Sequence, residues 1–279
     1  MRRRVVFTFL ILVLCFSAAA CGSEEKLPIK TVTEYADKMI EVELPLRLKL
    51  DCEYCKLEIY RWKKHAVKFE YKASVTGEST AERLKEKLKD FVIKTQADGG
   101  NIVFMSEYSG SNNAEGKLEI RVYIPQKTDC IEFLCTKGKF KSFDDLEGEL
   151  VIRADTLDVD INKLEGKLDC NIKEGDVRLS AGKLSDGSTI EAGRGNIRIK
   201  AEYEPSGTYC FIAREGLLEI SLPGNLEARF TQDLPVEPDD TEHSYERYAE
   251  VEYGESKKNR EAASFRLVSG IDKVLITRF

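Results

Sequence analysis

Cysteine offers the most chemistry in this chain. There are eight: Cys15, Cys21, Cys52, Cys55, Cys130, Cys135, Cys170 and Cys210. Cys52-x-x-Cys55 together with Cys130-x4-Cys135 could supply four thiolates, the donor set of a tetrahedral zinc site. The same thiols could instead form disulfides outside the cytoplasm. Cys52 and Cys55 could also act as a redox pair, although no thioredoxin-like βαβ pattern surrounds them. Plain packing is the fourth reading, because thiols are small and readily buried. Cys170 fits that reading best, since it alternates with leucine, isoleucine and phenylalanine in related segments.

Other side chains narrow the field. His65 and His243 are the sole histidines, which excludes His-rich metal sites and most His-based triads. The formal net charge of −6 argues against a general nucleic-acid binder, which needs clustered positive charge. Residues 233–261 carry ten acids against four lysines and arginines, with Pro235 and Pro238. Asp239-Asp240 and nearby glutamates could attract calcium, but no EF-hand spacing is present, and a solvated insertion is expected. Trp62, Tyr60 and Tyr71 could bind carbohydrate, while Trp62 equally suits packing at a sheet edge. No nucleophile elbow, phosphate loop or zinc-protease helix occurs. The chain is therefore expected to be non-catalytic and to hold no cofactor.

These residues sit in a repeat of about twenty residues, the signature of stacked architectures. Leu150, Ile152, Leu157, Val159 and Ile161 are followed at the same spacing by Cys170, Ile172, Val177, Leu179 and Ala181. Ile190, Ala192, Ile197, Ile199 and Ala201 come next, then Phe211, Ala213, Leu218, Ile220 and Leu222. Each unit is a pair of short alternating segments, a strand signal. A corner at Gly175, Gly195 or Gly216 separates them, with Asp155 in the first unit. One such pair cannot bury its apolar face alone, whereas stacked units cover one another. The pattern predicts an all-β fold, a parallel β-helix or β-roll, with an antiparallel meander as the competitor. Its internal columns would be Leu150/Cys170/Ile190/Phe211 and Val159/Leu179/Ile199/Ile220. A right-handed coil is expected from the crossover rule.

The template extends further. Leu48, Leu50, Cys52, Cys55, Leu57 and Ile59 match Ile131, Phe133, Cys135, Gly138 and Phe140, which places Cys52 and Cys135 at equivalent positions. The stretch SFRLVSGIDKVLITRF reads as a further unit with its corner at Gly270. One short α-helix is predicted near residues 80–91, capped by Thr80 or Ser79, with Ala81, Leu84, Leu88 and Phe91 on one face. Outward positions mix acids and bases (Asp158, Asp160, Asp169, Asp176, Arg178, Glu191, Arg198, Lys200), and no column forms the carboxylate pair of a glycosidase.

Residues 1–20 have a basic start at Arg2–Arg4, an apolar run from Val5 to Phe16 and small residues before Cys21. That is the form of a secretory signal, and the run is short for a membrane span. Ala18-Ala19-Ala20-Cys21 resembles the lipobox of bacterial lipoproteins. The resemblance implies that Cys21 is lipidated and holds the exported chain to a membrane or outer envelope. Residues 21–38 then read as the lipidated cysteine and a polar tether. Residues 39–279 form the domain, with an acidic insertion at about 228–263.

The order LKLDCEYCKLEIYRWKKHAVKFEY, a short helix, KLEIRVYIP, LEGKLDCNIKEGDVRLSA, GRGNIRIKAEY and GLLEISLP resembles the bacterial "putative adhesin" β-helix domain of unknown function, over residues 40–279. The resemblance implies a cell-envelope or surface role, with an envelope protein or polysaccharide as partner and no catalytic residues. Two departures stand out: Cys55 occupies a corner where glycine is usual, and residues 228–263 interrupt the coil. The alternatives are an envelope-stress sensor working beside membrane partners, and a polysaccharide-active enzyme.

Overall fold

The computed structural model describes residues 28–110, 114–233, 262–269 and 274–279. The N-terminal half contains β1 (Ile29–Glu41), β2 (Leu46–Trp62), β3 (Ala66–Glu78), α1 (Ala81–Lys87), β4 (Phe91–Asp98), β5 (Asn101–Tyr108) and β6 (Ala114–Pro125). The rest contains β7 (Thr128–Glu174), β8 (Val177–Leu179), β9 (Gly182–Leu184), β10 (Thr189–Arg194), β11 (Ile197–Lys200), β12 (Glu202–Tyr203), β13 (Thr208–Glu215) and β14 (Leu218–Leu222). It closes with β15 (Ala228–Asp233), β16 (Ala263–Ser269) and β17 (Val274–Arg278). The described chain is all-β apart from α1 and one 3₁₀ turn, and its strands join in one seventeen-stranded sheet.

Side-chain alternation builds these strands. In β2, Leu46, Leu48, Leu50 and Cys52 are buried while Arg47 and Asp51 are exposed. The phase resets at Glu53-Tyr54, so that Cys55, Leu57 and Ile59 turn inward. The same reset recurs at Gly175, Gly195 and Gly216. Each has a positive φ (128°, 135° and 139°), and each packs on the corner before it: a Cβ on Gly195 would lie 2.0 Å from the Gly175 carbonyl oxygen. Only glycine tolerates both the dihedral and the approach. Beside this ladder, Asp176 Oδ1 accepts from the Asn196 amide at 2.8 Å, and Asn196 Oδ1 accepts from the Leu217 amide at 3.0 Å.

Successive units pair in parallel. Ile190 stands between Cys170 and Phe211, and Phe211 is followed by Leu267. Leu48, Leu50, Cys52, Cys55 and Leu57 pair with Ile131, Phe133, Cys135, Gly138 and Phe140, as the template predicts. The expected column Val159/Leu179 is out by two residues. Val159 pairs with Val177 and Ile161 with Leu179, giving the rows Val159/Val177/Ile197/Leu218/Val274 and Ile161/Leu179/Ile199/Ile220/Ile276. Gly166 packs on Gly148, which likewise sets Leu150 level with Leu168 rather than Cys170. A slip of two keeps every side chain on its own face, so alternation alone cannot detect it.

The N-terminal part departs from simple parallel stacking: β1 with β3, β3 with β6, and β4 with β5 pair antiparallel. Strand β1 begins inside the stretch expected to be a tether. It pairs along its length with β3 because Val32 finds burial there. The helix falls where predicted: the Thr80 hydroxyl accepts from the Arg83 amide, Leu84 and Leu88 are buried, and α1 packs on β1 and β3. Residues 228–233, expected to belong to the insertion, form β15, which runs parallel to β16. The rest of that insertion (234–261), the corner at Gly270, the leader and Cys21 lie outside the described residues.

Candidate functional site

The structure brings three of the four candidate cysteines together. Cys52 and Cys135 are register partners in β2 and β7, and Cys55 lies across the β2 corner from Cys52, opposite Gly138. All three are buried. The Cys135 thiol donates to the Glu53 carbonyl oxygen at 3.7 Å. Burial drives its pKa up to about 12, and burial together with the neighbouring Cys52 thiol raises that of Cys55. Cys52 and Cys135 are among the residues lining an open groove of about 810 Å³, together with Lys94, Tyr108, Arg153 and Lys173.

Cys130 is not part of this cluster. It pairs with Arg47, five residues along the strand from Cys135, or about 16 Å at a strand's rise per residue. The four-thiolate zinc arrangement is therefore not assembled. Among the described residues, no group of three or more His, Cys, Asp or Glu is arranged to hold a metal ion. None of the six described cysteines is joined in a disulfide. Cys170 is a core residue, with a pKa raised by burial to about 12.

A second cluster lies on the outward face of β1, β3, β6 and β2. Tyr60 pairs with Tyr123 across β2 and β6, and their rings stack 5.3 Å apart. Phe143 stacks on the other side of Tyr60 at 4.8 Å, and Trp62 packs on Tyr123 at 5.6 Å. Met39 of β1 extends this row through Lys68, the partner of both Met39 and Tyr123. Tyr35, Met39 and Phe143 are 51%, 58% and 42% exposed, which is unusual for large apolar side chains.

Charged groups brace the row. The Tyr60 hydroxyl donates to Glu58 at 3.2 Å, the Tyr123 hydroxyl to Glu70 at 3.2 Å, and Arg121 Nε to Glu58 at 3.1 Å. Burial would raise the Glu58 pKa, but hydrogen bonds from Lys56 and Arg121 outweigh it and hold the carboxyl below its ordinary range. The hydrogen bond from Lys68 does the same for Glu70.

The expected carbohydrate trio is only partly brought together. Tyr71 points to the interior, edge-on to Phe104 at 6.3 Å, on the opposite face from Tyr60 and Trp62. The rings of Tyr123, Tyr60 and Phe143 also cover one another's faces, leaving edges for a partner rather than a flat platform. Sequence reading missed Tyr35, Met39, Tyr123 and Phe143. Their outward phase was legible, but the pairing that lines them up was not. His65, which follows Lys63 and Lys64, is exposed.

The remaining outer surface is closed by ion pairs between neighbouring units. Examples are Lys139–Asp158 and Lys141–Asp160 at 3.1 Å, Arg194–Glu174 at 3.3 Å and Arg198–Glu219 at 3.4 Å.

No family model matches the chain, and no curated protein matches it. Among solved structures it is similar to a putative cell adhesion protein from Clostridium sporogenes, with 15% identity, 88% of this chain and 100% of that one covered, and a TM-score of 0.29. It is also similar to a putative adhesin from Bacteroides fragilis (12% identity, 88% and 97% covered, TM-score 0.38). A putative lipid binding protein from Parabacteroides distasonis is a third (12% identity, 88% and 96% covered, TM-score 0.27). Among the described residues, no helix is long and apolar enough to cross a membrane.

Proposed function

We propose that this chain is a non-catalytic, lipid-anchored interaction module of the cell envelope, adhesin-like in action, whose strands wind as a β-helix or β-roll. The winding is supported by the parallel pairing of units and by the stacked glycine corners. The anchor is supported by the basic, apolar and small-residue leader ending at Cys21. The observation that carries the interaction role is the outward row Met39–Tyr123–Tyr60–Phe143 with Tyr35 beside it. Three of the eight exposed large apolar side chains among the described residues, Tyr35, Met39 and Phe143, share that face, and acids pair with bases between the later units. Tyrosine, tryptophan, methionine and arginine are the side chains enriched in protein-contacting surfaces. The absence of a catalytic task is supported by the acids themselves: Asp158, Asp160, Asp169 and Glu191 each pair with a base from another segment.

Photo-cross-linking in the envelope tests the role. A photoreactive residue at Tyr35, Met39 or Phe143 is expected to give a discrete cross-linked product that the same probe at Lys139 does not give. Equal yields at all positions would remove the interaction face. Mass spectrometry of the mature N-terminus tests the anchor separately: an acylated Cys21 is expected, and an unmodified cysteine defeats it.

A further inference from the structure

We propose that the free edge of β1 pairs antiparallel with β1 of a second copy of this chain, about a two-fold axis at Ala36. The inference is independent of the adhesin-like reading, which uses the outward side of the same strand. Strand β1 runs for 13 residues and pairs with β3, from Ile29 with Glu78 to Glu41 with Ala66, in one unbroken register. Among the described residues no second strand pairs with it, so its other edge keeps a row of backbone N–H and C=O groups without ladder partners. Helix α1 packs on β1, yet Asp37, Lys38 and Met39 are exposed in succession, so both faces of the strand reach solvent there. A long edge of this kind is a template for another strand, and β1 contains no proline or bulge to prevent it.

Charge identifies the partner. Lys30, Val32, Glu34, Ala36, Lys38 and Ile40 alternate onto one side of β1, where Val32 is buried and Ile40 packs against the core. Charges on that side normally guard an edge against pairing. Neighbouring strands match theirs, as in Lys49–Glu132, Lys68–Glu70 and Lys72–Glu119. Glu34 and Lys38 make no ion pair with any described residue. A two-fold axis at Ala36 sets Glu34 opposite the partner's Lys38, and Lys38 opposite the partner's Glu34. Directly opposed side chains lie about 4.5–5.5 Å apart, and opposite charges there stabilise the pairing. Other axes lose this match. An axis at Tyr35 sets Lys38 against the partner's Val32, and one at Asp37 sets that aspartate against itself. At Glu34 or Lys38, like charge meets like.

The same axis joins the apolar side chains of that side. Val32 stands opposite the partner's Ile40, and Ala36 opposite the partner's Ala36, so the strip that begins in one core continues into the other. A buried strip fixes the register, because a slip would set lysine or glutamate against valine. The contact is isologous, each copy offering the same strand, and it closes at two copies. Tyr35 and Met39 remain on the outward side, where the two faces lie next to each other.

Cross-linking of the full-length protein in the envelope tests this. In the unmutated chain, a carbodiimide is expected to join Glu34 of one copy to Lys38 of the other. Ala36→Cys is expected to give, on mild oxidation, a homodimer linked from position 36 to position 36, which Lys139→Cys, at an exposed position on β7, does not give. Glu34→Lys and Lys38→Glu, each added to Ala36→Cys, are expected to lower the dimer yield about tenfold, and the two together to restore it. Absence of the carbodiimide product from the unmutated chain, an equal dimer yield from Lys139→Cys, or a double reversal no better than the single ones would overturn the proposal.

Discussion

Glu58 shows how one carboxylate can gather three donors from two strands. It lies on β2, nearly buried, and receives Lys56 from its own strand, Arg121 from β6 and the Tyr60 hydroxyl. Hydrogen bonds to a charged group contribute about 1.5–3 kcal/mol. Its pKa is depressed in the folded chain. The associated stabilisation is therefore complete above the unfolded value near ~4.3 and is lost as pH falls through the lower, folded value. Glu58→Gln is expected to cost about 1–3 kcal/mol at neutral pH in denaturant titration. It should also flatten the decline in stability below about pH 5. An unchanged acid limb would show that another carboxylate governs it.

At the scale of the element, the corner decides more than the strand. Gly195 combines a φ of 135° with a Cβ site 2.0 Å from backbone. Gly195→Ala should lower stability by more than ~2 kcal/mol, from conformational strain and a shifted neighbouring corner. Gly224→Ala meets only the Phe279 carbonyl at 3.5 Å and should stay within about 0.5 kcal/mol. Thermal melts of the two variants make the comparison. These corners were legible in the sequence because glycine recurs at one phase of the repeat. So were the inward sides of the strands, and so was the helix, from Thr80 and the Leu84/Leu88 spacing. The two-residue slip between Val159 and Val177 was not legible, because apolar alternation is unchanged by an even shift. Strand β1 was missed because its exposed face carries Thr31, Thr33 and Asp37 and just one of its side chains, Val32, is fully buried. The site divided along the same line. Cys52 and Cys135 fell on one template position, whereas Met39 and Tyr123 join the row through the antiparallel pairings of β1 with β3 and β3 with β6 and the parallel pairing of β2 with β6, which the repeat does not encode.

For the whole molecule, energy is exchanged mainly between neighbouring units, so a unit should be removable. Deleting residues 176–195 joins Gly175 to Asn196 and sets Ile197 where Val177 stood, opposite Val159. Every inward row then continues with one member fewer. The shortened protein is expected to fold with a β-type circular dichroism spectrum and a single melting transition, as stacked repeats do. Deleting residues 176–185 alone breaks the match of corner to corner and should yield an insoluble chain. Collapse of both variants would refute the stacking of interchangeable units.

The two halves also differ in how far the polypeptide must travel to meet itself. In the C-terminal units, partners such as Asp176 and Asn196 are 20 residues apart, whereas Lys49 reaches Glu132 across 83. Each doubling of a closed loop costs about 0.6 kcal/mol, so the longer closure carries roughly 1.2 kcal/mol more entropy loss. Strand β2 also waits for β5, β6 and β7 before its neighbours are complete. By loop closure alone, the twenty-residue units from β8 to β14 are expected to form before β2 meets β7.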